Sequence, residues 1–347
     1  MTHTPLTELR SANDAINDPE ELRRRLANTG YLFFKGLQDT RRLLDLRRDI
    51  LGTLMAGGWL VAGTNADDGI ANIEAQCTEG DPEYTDVYHQ VQRLESFHRS
   101  GHWPEVLDVM AKVIGDGMVL PHPQKICRVW FPQYTEHTTP IHQDYVHFQG
   151  SFDTYTCWVP VGDCPIELGG LAVLPGSHLP REVKPHHFSL GAGLLAIDES
   201  DLSGTWHTKD YEVGDTLIFN SLLAHRALPN DTEDRMRVSL DNRYQSIHVP
   251  IAEQMLTVHL SGVASLSWDE VYKDWKSDEL KYYWKVHDLE VVAKQMQWLN
   301  QLNAEAMERA ANGDAHAAHH LRRLLRREPD SELGQRAKKA LTEAGML

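Results

Sequence analysis

Long apolar runs are missing from this chain. No stretch of 18 or more apolar residues occurs, which excludes a membrane-spanning helix of the usual length. The opening "MTHTPLTELRSANDAINDPEELRRR" has no apolar block of the secretory kind, so no signal peptide is expected. Positive charge is also in short supply. Lys plus Arg number 34 against 50 Asp plus Glu, a formal charge of −16. That balance argues against nucleic acid or membrane partners and leaves room only for a local basic pocket. Cysteine is scarce too. Cys77, Cys127, Cys157 and Cys164 form no CxxC pair and read as reduced thiols of a cytoplasmic protein. There is no G-x-x-x-x-G-K-S/T phosphate loop, and no Ser-His-Asp or Cys-His set has a supporting local motif.

What is present divides by texture. Asp18 caps "PEELRRRLANTG", with Pro at the first helical position and Gly30 at the end; "YLFFKGL" then reads as a buried strand and "DTRRLLDLRRDILGTLM" as an amphipathic helix. Residues 61–84 are polar and Gly/Asp-rich, the composition of a long loop. From Lys125 the runs "KICRVWF", "FDTYTCWVPVG", "GGLAVLPGS", "DTLIFNS" and "RMRVSLDNRYQ" are short, β-branched and separated by turn residues, as in a β sandwich or barrel. From Trp268 the pattern is helical again. The expected architecture is a mainly β core with flanking helices. A first domain would span residues 1–262, with its core at about 120–250, followed by a helical C-terminal extension over 263–347. The amphipathic stripes and aromatic cluster of that extension suggest a homo-oligomer contact.

Nineteen histidines raise the question of a metal site, yet His142-Gln143-Asp144 is the only H-x-D/E in the chain. On a strand, i and i+2 point the same way, so both side chains would face one ion. His225, expected at the end of the apolar strand in "GDTLIFNSLLAHRALPND", is the third candidate. Two His and one carboxylate leave open positions, an arrangement suited to non-haem Fe(II) handling O2 and a co-substrate together. In "DRMRVSLDNRYQ", Arg235, Arg237, Ser239, Asp241 and Arg243 alternate onto one face, and an inward guanidinium beside a metal asks for a carboxylate.

The pieces "HQD", "TCWVPVGDCPIELGGLAVLPGSH", "GDTLIFNSLLAHRALPN" and "DRMRVS" resemble the phytanoyl-CoA dioxygenase-like branch of the Fe(II)/2-oxoglutarate oxygenases, strongly over 120–245 and more loosely over 20–120. The resemblance implies a double-stranded β-helix, that is, a jelly-roll or cupin-like barrel. It implies iron ligands His142, Asp144 and His225. It implies that Arg237 rather than Arg235 anchors the 2-oxoglutarate tail, with Ser239 assisting and Trp158 lining the co-substrate pocket. The implied reaction is hydroxylation of a small organic molecule using Fe(II), 2-oxoglutarate and O2, with succinate and CO2 released. Desaturation or cyclisation are variants of it, and a jelly roll that only binds a small molecule is the non-catalytic alternative. Substrate contacts are expected from 61–100, 145–152 and 180–210, with Tyr145, His147 and Gln149 as candidates.

Overall fold

The computed structural model describes residues 6–262 and 265–347, so the expected boundary at residue 263 lies outside the described residues. The strands are β1 (Leu6–Glu8), β2 (Tyr31–Phe34), β3 (Val119–Pro121), β4 (Ile126–Trp130), β5 (Tyr155–Pro160), β6 (Leu171–Val173), β7 (His187–Phe188), β8 (Leu195–Ala196), β9 (Trp206–Thr208), β10 (Thr216–Asn220), β11 (His225–Ala227), β12 (Arg237–Ser246), β13 (Ile251–Ala252) and β14 (Val291–Val292). The helices are α1 (Pro19–Thr29), α2 (Thr40–Ala56), α3 (Pro82–Gln92), α4 (Glu95–Ser100), α5 (Pro104–Ile114), α6 (Tyr145–Phe148), α7 (Trp268–Val271), α8 (Gln297–Ala311), α9 (Ala315–Arg327) and α10 (Glu332–Glu343).

A large sheet runs β2-β10-β5-β12-β3, with β4 also on β12; a smaller one runs β1-β9-β6-β11. Period-two alternation decides what each face meets. In β2, Tyr31 and Phe33 join Trp158, Leu217 and Phe219 in a core shared with Leu171 and Val173 of the small sheet. Leu32 and Phe34 point the other way, into a core with Leu43, Leu46 and Ile50 of α2 and Val109 and Met110 of α5. The large sheet is therefore buried on both faces, which is why its strands read as near-continuous apolar runs. The result is the jelly-roll core with flanking helices that the sequence leads one to expect.

Local chemistry sets the elements. Asp18 accepts from the Glu21 N–H at the start of α1, and Gly30 ends the helix in the left-handed region with φ 81°. Gly30 is needed for a second reason: a Cβ there would lie 2.5 Å from Leu223 Cδ1, on the turn just before His225. At the other end of the chain, α8, α9 and α10 bury their apolar stripes on one another and on Val146, Phe188 and Leu195. The aromatic cluster Tyr272, Trp275 and Trp284 packs on Leu120, Ile126, Phe148 and Ile251 of the core. No helix is long and apolar enough to cross a membrane among the described residues.

Candidate active site

His142 and His225 are brought together by the backbone. Each donates its N–H to the other's carbonyl, at 3.0 and 3.1 Å, forming a single antiparallel bridge. His225 stands at the start of β11 in the small sheet rather than at the end of the apolar strand β10, because the turn at residues 221–224 carries the chain from one sheet to the other. The expected strand through the H-x-D motif is also corrected. The chain leaves the extended conformation after His142, and Asp144 adopts φ −58°, ψ −30° at the start of α6. The reason lies in the buried Gln143. Its amide donates to the carbonyls of Glu182 and Leu222 and accepts from the Lys184 N–H, which pins it away from the site. The carboxylate thus swings in on a helical turn.

The three side chains converge. His142 Nδ1 lies 2.8 Å from the Pro140 carbonyl and His225 Nδ1 2.9 Å from that of Leu223. A carbonyl only accepts, so both Nδ1 atoms carry the proton and both Nε2 lone pairs are free. They face Asp144 Oδ1 at 3.5 and 3.6 Å. All three residues are buried, and their ligand atoms lie within 4.8 Å of one another. The other carboxylate oxygen receives the Thr156 hydroxyl and faces Arg243 Nη2 at 3.6 Å. Burial alone would raise the Asp144 pKa. The charge of Arg243 works against it, and the carboxyl is held well below its ordinary value. Burial, then the neighbouring His225, pushes His142 down, keeping it a neutral donor. An oxygen and two imidazole nitrogens with fixed tautomers are a fitting donor set for a divalent first-row metal.

Behind the cluster is a narrow inner cavity lined by Trp130, Trp158, Thr156, Arg237 and Asp241 among others. Arg237 is 2% exposed; its Nε donates to the Gly169 carbonyl and its Nη1 to Ser239 Oγ, each at 2.8 Å. Gly169, at φ 89°, can bring that carbonyl in because a Cβ would sit 2.7 Å from the Leu228 carbonyl oxygen. No carboxylate pairs with Arg237 among the described residues, and burial pushes its pKa down to about 10, so it remains charged at neutral pH. Arg235 is exposed and precedes the strand, bridging Ile70 instead. Trp158 is both core and wall: it packs on Tyr211 at 4.7 Å and its ring centroid is 6.0 Å from the Arg237 guanidinium carbon. Trp130 was not singled out by sequence. Its indole N–H is buried without a partner, and alternation with Arg128 along β4 is the signal that would have found it. Arg128 binds Glu79 at 2.5 Å and Asp241 at 3.1 Å. Across both cavities three guanidinium groups and the Lys294 ammonium meet four carboxylates, so a dication and a dianion together would leave the balance unchanged.

An outer cavity of about 550 Å³ opens from the same cluster. Its walls include His147, Phe148, Ala192, Gly193 and Glu79 from the expected loops. They also include Glu253, Gln254, residues 257–262 and Lys294, which sequence reading missed because nothing in their pattern marks a pocket. Tyr145 instead packs on Phe152 and Trp298, and Gln149 exchanges hydrogen bonds with Gln295. His178 holds the end of α1 through the Ala27 carbonyl, and His320 is buried on Phe188.

A jelly roll holding two imidazoles and a carboxylate around one point, next to an unpaired buried guanidinium, is the frame of a non-haem iron oxygenase. The profile described as "Phytanoyl-CoA dioxygenase (PhyH)" matches residues 63–239, and the chain belongs to this family of Fe(II)- and 2-oxoglutarate-dependent oxygenases. Two curated relatives, the 1-deoxypentalenic acid 11-beta-hydroxylases of Streptomyces arenae and Streptomyces exfoliatus, are each 25% identical over 262 residues, covering 71% of this chain and 87% of theirs. Among solved structures, the epimerase SnoN in complex with Fe3+, alpha ketoglutarate and nogalamycin RO is similar at 19% identity and TM-score 0.49, covering 68% of this chain and 86% of that one. The enzyme's cofactors are iron, 2-oxoglutarate and O2.

Proposed function

We propose that this enzyme hydroxylates an unactivated C–H bond of a small organic molecule held in the outer cavity, with His142, Asp144 and His225 as iron ligands and Arg237 as the co-substrate anchor. The observation that supports it most is the convergence of two tautomer-fixed Nε2 atoms and one carboxylate oxygen beside a buried, unpaired guanidinium. Bound iron and 2-oxoglutarate would supply the oxidation, in which O2 is consumed, succinate and CO2 leave, and the substrate gains one oxygen. The chain supplies position. The Pro140 and Leu223 carbonyls orient the imidazoles, while Thr156 and Arg243 hold Asp144. Arg237, with Ser239 and the Trp130 N–H, offers donors to a distal carboxylate, and Trp158 closes the wall.

The complete ligand set and the family favour catalysis over a barrel that merely binds. The named substrate of the relatives, 1-deoxypentalenic acid, is a first molecule to try. Buried free thiols at all four cysteines support a reducing, cytoplasmic setting. The residues up to 262 are read as the oxygenase unit. Any homo-oligomer would use the outer faces of α8–α10, since their apolar stripes are spent inside the chain. The test is to supply Fe(II), ascorbate, 2-oxoglutarate and 1-deoxypentalenic acid, then measure succinate and product mass. One added oxygen supports hydroxylation, loss of two hydrogens supports desaturation or ring closure, and equal iron binding by the parent and His142→Ala refutes the ligand assignment.

A further inference from the structure

One hydrogen-bond chain in the wall of the outer cavity has a fixed direction. Tyr88, on α3, is completely buried. Its hydroxyl oxygen lies 2.9 Å from Gln92 Nε2 and 3.4 Å from the backbone N–H of Cys127, both donors. The Gln92 amide cannot be turned over, because the same nitrogen also reaches the Lys125 carbonyl at 3.3 Å, which only accepts. The Tyr88 oxygen thus receives two hydrogens. Its own proton goes to its remaining neighbour, His259 Nδ1, at 2.8 Å. A neutral imidazole that accepts at Nδ1 carries its proton on Nε2. Burial, reinforced by Arg128 and Arg243, pushes the His259 pKa well below its ordinary value and keeps the ring neutral.

His259 Nε2 has no hydrogen-bond partner among the described residues, and His259 lines the outer cavity. A histidine serving only to tie down Tyr88 would not need its other edge directed at open space. Lys294, between β14 and α8, lines the same cavity, and its ammonium forms no ion pair among the described residues. Both groups are donors, and neither can accept.

We propose that His259 is a substrate-orienting residue, its N–H donor set by Tyr88 as a positioning residue, and that the molecule bound in the outer cavity meets it with an acceptor oxygen, a carboxylate by preference. This rests on the reading of the outer cavity as the substrate chamber. A ligand held at one end by His259 and Lys294 turns a defined part of its skeleton towards the His142–Asp144 edge of the cavity.

The test uses the full chain loaded with Zn(II) in place of iron and with 2-oxoglutarate, its histidines isotope-labelled at the ring nitrogens. The His259 signal is assigned by its absence in His259→Leu. It should report a proton on Nε2, and Tyr88→Phe should convert it to a mixture of tautomers; a proton on Nδ1 in the parent overturns the proposal. Cyclohexanecarboxylate and cyclohexylammonium share a ring and differ in hydrogen-bonding sense. The carboxylate should shift the Nε2–H signal, and its Kd should weaken about tenfold in His259→Leu and return to within about twofold in His259→Gln, whose amide N–H can take the same place. The ammonium should do neither. An ammonium that shifts the signal as much, or a carboxylate whose Kd is unchanged in His259→Leu, overturns the assignment. Succinate formation by the iron-loaded parent reports separately on the site. No succinate sinks the underlying reading, whereas succinate with an indifferent His259 sinks only this proposal.

Discussion

The inner and outer cavities share Arg128, Thr139, His142 and Asp144, yet they are made from different parts of the chain. The inner one is walled chiefly by strands of both sheets: β4 and β12 carry Arg128, Trp130, Arg237, Asp241 and Arg243, β5 carries Thr156 and Trp158, and β11 carries His225. His142, His225 and Arg237, the proposed ligands and anchor, are held by neighbours that fix their direction. The outer cavity is walled by connections and by the C-terminal region: Glu79, Ala192, Gly193, Glu253, Gln254, residues 257–262 and Lys294. Strand alternation makes the first reproducible and narrow. Loops make the second roomy.

Substitutions should separate the two. The largest effect is expected from His142→Ala, which removes a ligand and should cut iron affinity by about a hundredfold or more and abolish succinate formation, checked by metal titration and turnover. Arg237→Ala should raise the KM for 2-oxoglutarate by about a hundredfold by deleting a buried charged anchor, with Arg235→Ala near neutral; an equal response of the two would break the assignment. Thr156→Val, which only takes a donor from Asp144, should weaken iron binding by about tenfold and leave the 2-oxoglutarate KM nearly unchanged. Arg323→Ala should act on the outer cavity alone. Arg323 Nε lies 3.1 Å from Asp81 Oδ1, at an angle that makes an ion pair rather than a hydrogen bond, and this contact ties α9 to the loop bearing Glu79. Loosening it should raise the KM for the organic substrate about fivefold while 2-oxoglutarate binding is unmoved, as read by steady-state kinetics in each.

Legibility in the sequence followed the same division. The jelly roll could be read because strands buried on both faces leave β-branched runs such as "TCWVP" and "DTLIF". His142, Asp144 and His225 could be singled out because one H-x-D/E exists and the apolar run "DTLIFNSLLAH" leads to the third partner, which the resemblance matched. The local geometry could not. Gln143 is pinned by residues some 40 and 80 positions away, at Glu182 and Leu222, and that long-range clamp turns Asp144 onto a helical turn. Nor could the role of 253–262, since "EQMLTVHLSG" has no period or motif and meets the cavity only through the packing of distant segments. Trp130 was within reach of simple alternation and was passed over.

The C-terminal segment from Lys294 through α10 meets the chamber wall or its supports at three places. Arg323 and Arg326 grip Asp81, Gln301 and Arg309 hold the carbonyls of His186 and Phe188 in the hairpin whose turn bears Ala192 and Gly193, and the lead-in to α8 places Lys294. None of these residues lines the inner cavity. With the outer cavity as the proposed substrate chamber, exchange of this one contiguous segment between homologous chains should recast what is oxidised without touching how. The helical tail is in effect an interchangeable jaw fitted to a fixed burner.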